Sequence, residues 1–166
     1  FNQRWVVLPD VAIRDAGTRL PGGPQYGARW NHLGRGFEYS LSFFEGFNHL
    51  PLLDARIQPF PLRVDLQRFY PRMRMYGADA ALPLRWLTVK GEAAYFTSNT
   101  RQADEYLLYV IQLERQAGEW FFVGGYAGQA VTASRHTLDF APDRGLARAF
   151  LARAGYTIDT NRSLAL

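Results

Sequence analysis

The chain has 166 residues, 48% hydrophobic and 15% aromatic, with nineteen basic against fifteen acidic residues and a net charge of +4. That length allows one domain of ordinary size, and the apolar content excludes a disordered tail. No run approaches the roughly 20 apolar residues of a spanning helix, and without cysteine there is no disulfide and no thiolate zinc site.

Basic charge is almost entirely arginine, with Lys90 the only lysine. The arginines are scattered instead of gathered in a patch, which argues against nucleic acid as a partner. A chain without thiols suits reducing and oxidising compartments alike. The sequence opens at Phe1 with no signal peptide and stops at Leu166 in strand-like sequence. It reads as a processed protein or a fragment of a longer one.

In chain order, Leu8 to Pro24 reads as a long loop, with Pro9, Pro21, Gly22, Gly23 and Pro24. Tyr26, Ala28 and Trp30 then alternate with Gly27, Arg29 and Asn31, the period of two that marks a strand. A tight turn, His32 to Arg35, leads to Phe37, Tyr39, Leu41 and Phe43, which alternate with Glu38, Ser40 and Ser42. Phe47 to Pro71 reads as a second long loop. A strand from Arg72 runs through the alanine-rich Ala78 to Leu82, and Pro83 to Trp86 make the next tight turn. Leu87, Val89, Gly91, Ala93 and Tyr95 share one face of the following strand, and Thr88, Lys90 and Glu92 the other. After a loop from Thr97 to Asp104, Leu107, Tyr109, Ile111 and Leu113 alternate with Leu108, Val110, Gln112 and Glu114. A turn at Gln116 to Glu119 opens a strand at Trp120, followed by a long loop from Thr132 to Gly145. GLARAFLARAG, Gly145 to Gly155, places Leu146, Ala149 and Phe150 at helical spacing, so an amphipathic helix competes there. The unbroken alternation of Phe150, Ala152, Ala154, Tyr156 and Ile158 favours a strand. Asp159 to Arg162 form a last turn.

About eight strands result, and short and long connections alternate strictly between them. A soluble up-and-down sheet has no reason to keep its long loops on one side. A transmembrane barrel does, with short turns at the periplasm and long loops outside. Most strands are also near the roughly 9 to 11 residues that a tilted spanning strand needs. The expected fold is therefore all-β, an antiparallel up-and-down transmembrane β-barrel, forming a single domain or a barrel segment.

In such a barrel the apolar face meets lipid and the polar face lines the lumen. Lipid would meet Leu41, Phe43, Val89, Ala93, Ile111, Leu113, Phe122, Phe150 and Ala152. The lumen would receive Arg29, Glu38, Asp79, Lys90, Glu92, Gln112, Glu114, Gln129 and Arg153. The membrane-interface aromatics would be Trp30, Tyr39, Tyr76, Tyr95, Trp120, Tyr126 and Tyr156, whose amphipathic rings suit the headgroup level. A soluble sandwich or barrel with the same apolar faces turned inward shares the period of two. Against it stand the loop alternation and the small residues Gly91, Ala93, Gly124 and Gly128, which would leave voids in a packed core.

The stretch RMRMYGADAALPLRWLTVKGEAAYF, Arg72 to Phe96, resembles a hairpin of proteobacterial outer-membrane porin-like barrels. YLLYVIQLER, a short turn and WFFVGGYAGQAV resemble the next hairpin. The likeness covers the chain from Tyr26 onward and is one of style across successive hairpins. It implies a barrel of a poorly characterised family. Such barrels usually finish on a strand with a terminal aromatic residue, whereas this chain ends in RSLAL. That departure fits a fragment of a larger barrel, since a water-filled channel usually needs about 16 strands.

Other chemistry is weak. His32, His49 and His136 have no metal-ligand spacing. The serines include no G-x-S-x-G elbow, and Ser134 near His136 is a poor basis for a phospholipase site. No phosphate-binding glycine motif occurs. Lys90 and Glu92, on one strand face beside Gln112 and Glu114, form either a charge filter or ion pairs that fill the barrel. Arg56, Arg63, Arg68, Arg101 and Arg135 in the long loops are candidates for lipopolysaccharide phosphates. The expected function is passive, porin-like transport of small solutes in the outer membrane of a Gram-negative cell, with no catalytic residues, metal or other cofactor. Outer-membrane lipid is the expected partner, with lipopolysaccharide and other outer-membrane or periplasmic proteins as further candidates. The rivals are a structural or partner-binding barrel without an open pore, and a soluble lipocalin-like carrier.

Overall fold

A computed structural model describes residues 12–134, 148–159 and 162–165. Among them the chain is all-β, with eleven strands and no helix. The strands are β1 (Ala12–Arg19), β2 (Tyr26–Gly34), β3 (Phe37–Phe47), β4 (Leu52–Pro59), β5 (Leu62–Phe69), β6 (Arg72–Pro83), β7 (Thr88–Thr97), β8 (Glu105–Ala117), β9 (Trp120–Ala133), β10 (Arg148–Asp159) and β11 (Arg162–Ala165). No helix among the described residues is long and apolar enough to cross a membrane, which says nothing of crossing by strands.

Eight strands form one antiparallel sheet in the order β2-β3-β6-β7-β8-β9-β10-β11. They are the segments whose side chains alternate. The helical reading of Gly145 to Gly155 gives way to β10, which pairs with β9 from Arg148 to Tyr156 without a break. That ladder satisfies the outer backbone groups of β9 and brings the Phe150 ring to 4.9 Å from Tyr126. The tight turns gather at one end of the sheet. At the β2–β3 turn Gly36 has φ +84°, a conformation that a side chain would strain.

The expected loops need correction in two places. Within 47–71 lie β4 and β5, an antiparallel hairpin paired from Leu52↔Phe69 to Pro59↔Leu62. The ladder of β3 and β6 runs almost directly into it, because the Asn48 N–H donates to the Pro71 carbonyl at 2.9 Å. One long hairpin therefore projects past the end of the main sheet. Within 8–24 lies β1, parallel to β5; residues 8–11 fall outside the described residues. Residues 98–104 connect β7 and β8 as a loop. Of the segment 132–145, β9 takes residues up to Ala133, and 135–145, with Arg135 and His136, fall outside the described residues.

The small sheet, β1-β5-β4, bulges between Asp15 and Thr18. There Gly17 has φ +81° and donates its N–H to the Asp15 carboxylate at 2.8 Å. That backbone hydrogen bond first, and the Arg68 guanidinium at 3.1 Å second, hold the Asp15 pKa below its ordinary 3.8.

β2 pairs only with β3 and β11 only with β10, so no barrel closes among the described residues. The four-residue β11 offers little ladder for closure. Burial is correspondingly sparse. Phe69 and Ala103 are the only buried hydrophobic residues among those described, so the main sheet leaves both faces uncovered.

Candidate functional site

Side chains opposite each other in a ladder share a face, so register sorts the main sheet. Arg29 lies opposite Ser42, and Ser40 opposite both Asn31 and Asp79. Asp79 faces Glu92, and Lys90 faces Ala81 and Gln112. Glu114 and Arg153 both face Val123, Leu108 faces Gln129, and Leu33 faces Glu38. All nine residues expected at the lumen thus lie on one face.

Five of the nine make two clusters on that face. The Arg29 guanidinium donates to Asp79 Oδ2 at 2.8 Å, and the Ser40 hydroxyl donates to the same oxygen. Arg29 Nε also donates to Asn31 at 3.0 Å, which fixes the fork. In the second cluster Lys90 Nζ lies 2.8 Å and Gln112 Nε2 2.6 Å from Glu114 Oε1. Lys90 therefore reaches diagonally to Glu114 and does not pair with Glu92. Glu92 lies directly across from Asp79 with no ion pair of its own among the described residues. Between the clusters is a hollow of about 370 Å3 lined by Arg29, Asp79, Lys90, Glu92 and Gln112. Glu38, Gln129 and Arg153 share the face but join neither cluster.

This face is not polar throughout. Phe44, Met75, Phe96 and Tyr106 stand in successive register across β3, β6, β7 and β8 near the loop end. The Phe96 and Tyr106 rings stack at 4.8 Å. Their parity was available in the sequence, since each sits between residues of the opposite face.

The other face carries all seven expected aromatics and all nine residues expected to meet lipid. Trp30, Leu41, Ala78, Ala93, Tyr109 and Gly128 follow one another in register across it, and Tyr39, Ala80, Gly91, Ile111, Tyr126 and Phe150 form the next row. The small residues Ala78, Ala80, Gly91 and Ala93 floor an apolar hollow of about 630 Å3. Charged residues of this face, such as Glu45, Arg72 and Arg74 at one end and Arg115 at the other, stay near strand ends. Glu45 takes Arg74 at 3.0 Å. Tyr39, Trp120 and Tyr156 sit toward the tight turns, with Trp120 and Tyr156 5.0 Å apart, and Tyr95 sits toward the loops. Trp30 and Tyr126 stand at mid-strand.

Among the described residues no group of three or more histidine or carboxylate side chains is placed to hold a metal ion. The chain matches no protein-family model, no curated protein and no solved structure.

Proposed function

We propose that this chain is a β-barrel wall of a Gram-negative outer membrane, with porin-like passive transport of small solutes along its charged face. One observation carries the reading: a single eight-stranded meander sets an uncovered apolar face against a face that holds nearly all its mid-strand charge. A sheet in water must bury its apolar side, yet Phe150 is 87% exposed, Leu41 51% and Ile111 53%. Hydrocarbon supplies that burial without a packed core. In lipid the edges of β2 and β11 must also be paired, with each other or with further strands, because unpaired backbone groups are costly there. The charged face then acts by offering fixed donors and acceptors that replace part of a solute's hydration.

A second reading, a barrel with a filled interior and a structural role, draws on the Phe44, Met75, Phe96 and Tyr106 row. The two share the first test. Extracted from outer membranes in detergent, the native chain should migrate compactly on a gel and shift on boiling. A chain that is soluble without detergent and shows no shift would overturn both and favour a carrier with its apolar face turned inward. Conductance in planar bilayers separates the two barrel readings.

A further inference from the structure

Where the projecting hairpin leaves the main sheet, four separate stretches of the chain line a hollow of about 310 Å3. β1 contributes Arg19, β6 Arg72, β3 Phe47, β5 Phe69, β4 Asp54 and the β7–β8 loop Gln102. Both guanidinium groups lie over rings, Arg19 at 5.5 Å from the Phe69 centroid and Arg72 at 5.6 Å from Phe47. The rings hold the forks in place while leaving their N–H groups free to donate. Arg19 has no carboxylate partner among the described residues. Arg72 has only Glu45 at 3.9 Å, and that carboxylate is already engaged by Arg74 at 3.0 Å. The one carboxylate in the hollow, Asp54, is met by Arg56 at 3.2 Å, so it offsets the two cations little.

The geometry points to a binding site for an oxyanion, a carboxylate or phosphate, taken by the Arg19 and Arg72 forks at the loop end of the sheet. The inference deepens the transport reading by naming the class of solute met first at that end. It rests on that reading for its place in transport but not for binding. Two sources carry this chemistry: a small organic acid or phosphate ester in solution, and the phosphates of a lipopolysaccharide headgroup.

The test uses the full chain in the state in which circular dichroism shows it folded, in a phosphate-free maltoside detergent or in water. Benzoate is the probe, read by saturation-transfer NMR. Wild-type protein should bind benzoate, and inorganic phosphate should displace it. Arg19→Gln with Arg72→Gln should weaken binding by about tenfold or more, the scale of losing charge-assisted hydrogen bonds. Arg85→Gln, exposed in the tight turn between β6 and β7 at the opposite end of the sheet, should leave it unchanged. Displacement by purified lipopolysaccharide but not by its dephosphorylated form assigns the headgroup source, and displacement by phosphate alone assigns free solutes. Absence of benzoate binding, or equal binding by the folded double variant, would overturn the site. A heat-modifiable chain that ignores benzoate loses only this site, and a soluble chain that binds it loses only the barrel.

Discussion

The molecule holds two sheets that solve the same problem differently. The small sheet carries eight charged residues among 24 strand positions, whereas the meander carries fifteen among 85. In the small sheet acid and base stay within reach along its strands, as in Arg63 with Asp65 at 2.9 Å and Arg56 with Asp54 at 3.2 Å. A surface so densely charged is stable only where water solvates it. In the meander the charges that stand mid-strand, Arg29, Asp79, Glu92 and Arg153, lie on one face and those of the other face stay near the ends, the pattern expected of a low-dielectric boundary along one face. The contrast teaches that strand content says little about surroundings, and that the placement of charge says more.

The largest expected effect breaks this contrast directly. Ile111→Arg puts a charge in the middle of the apolar face and should lower the unfolding free energy from lipid vesicles by about 2–4 kcal/mol, measured by urea titration. Ile57→Arg, on an equally apolar and 72% exposed side chain of the small sheet, should change it by no more than about 0.5 kcal/mol. Equal costs would mean that both sheets meet the same solvent. Two of the glycines with positive φ come next. Gly36→Ala at φ +84° and Gly17→Ala at φ +81° should each cost roughly 1–2 kcal/mol locally. Only the first should slow formation of the main sheet, because it sits in a turn that sets the register of β2 on β3. Stopped-flow fluorescence of Trp30 in a background without the other tryptophans reads the difference.

The sequence made the meander legible and left the small sheet hidden, for a physical reason. Period-two alternation is visible wherever the two faces differ, and tight turns then force neighbours to pair, so β2–β3, β6–β7 and β8–β9 follow from local signals. β1 pairs with β5, fifty residues away and parallel, so Ala12↔Arg63 leaves no hairpin signature. β4, β5 and the turn between them carry Pro59, Pro61 and charges that read as loop. At the charged face the residues could be sorted by parity, but partner choice depends on side-chain reach. Lys90 faces Gln112 in register yet its ammonium reaches Glu114. The oxyanion hollow was out of reach altogether, because Arg19 and Arg72 meet only through the tertiary path of three strands.

Smaller effects sharpen the comparison of ion pairs. A double-mutant cycle on Lys90 and Glu114, whose carboxylate is largely covered, should give a coupling of up to about 1 kcal/mol. The same cycle on Arg68 and Asp15, both well exposed, should give a value near zero. Glu92→Gln has the opposite sign. It removes a carboxylate lying directly across from Asp79, so stability should rise by a few tenths of a kcal/mol in the same urea titration. A loss there would mean that Glu92 holds a cation partner in the membrane.

The smallest effect is an Asp15-linked dependence on pH in the small sheet. Asp15 is held below its ordinary pKa of 3.8 by the Gly17 N–H first and by Arg68 second. A carboxylate depressed on folding adds stability that is fully present above the unfolded value and is lost as pH falls through the folded one. Protection of the β1 amides against hydrogen exchange should therefore weaken as pH drops below 3.8, after correction for intrinsic exchange, while β7 and β8 amides in the same sample show no such Asp15-linked step. Asp15→Asn keeps an oxygen that can accept the Gly17 N–H but cannot titrate, so it should flatten the β1 profile. A variant that keeps the acid step would assign it to a group other than Asp15.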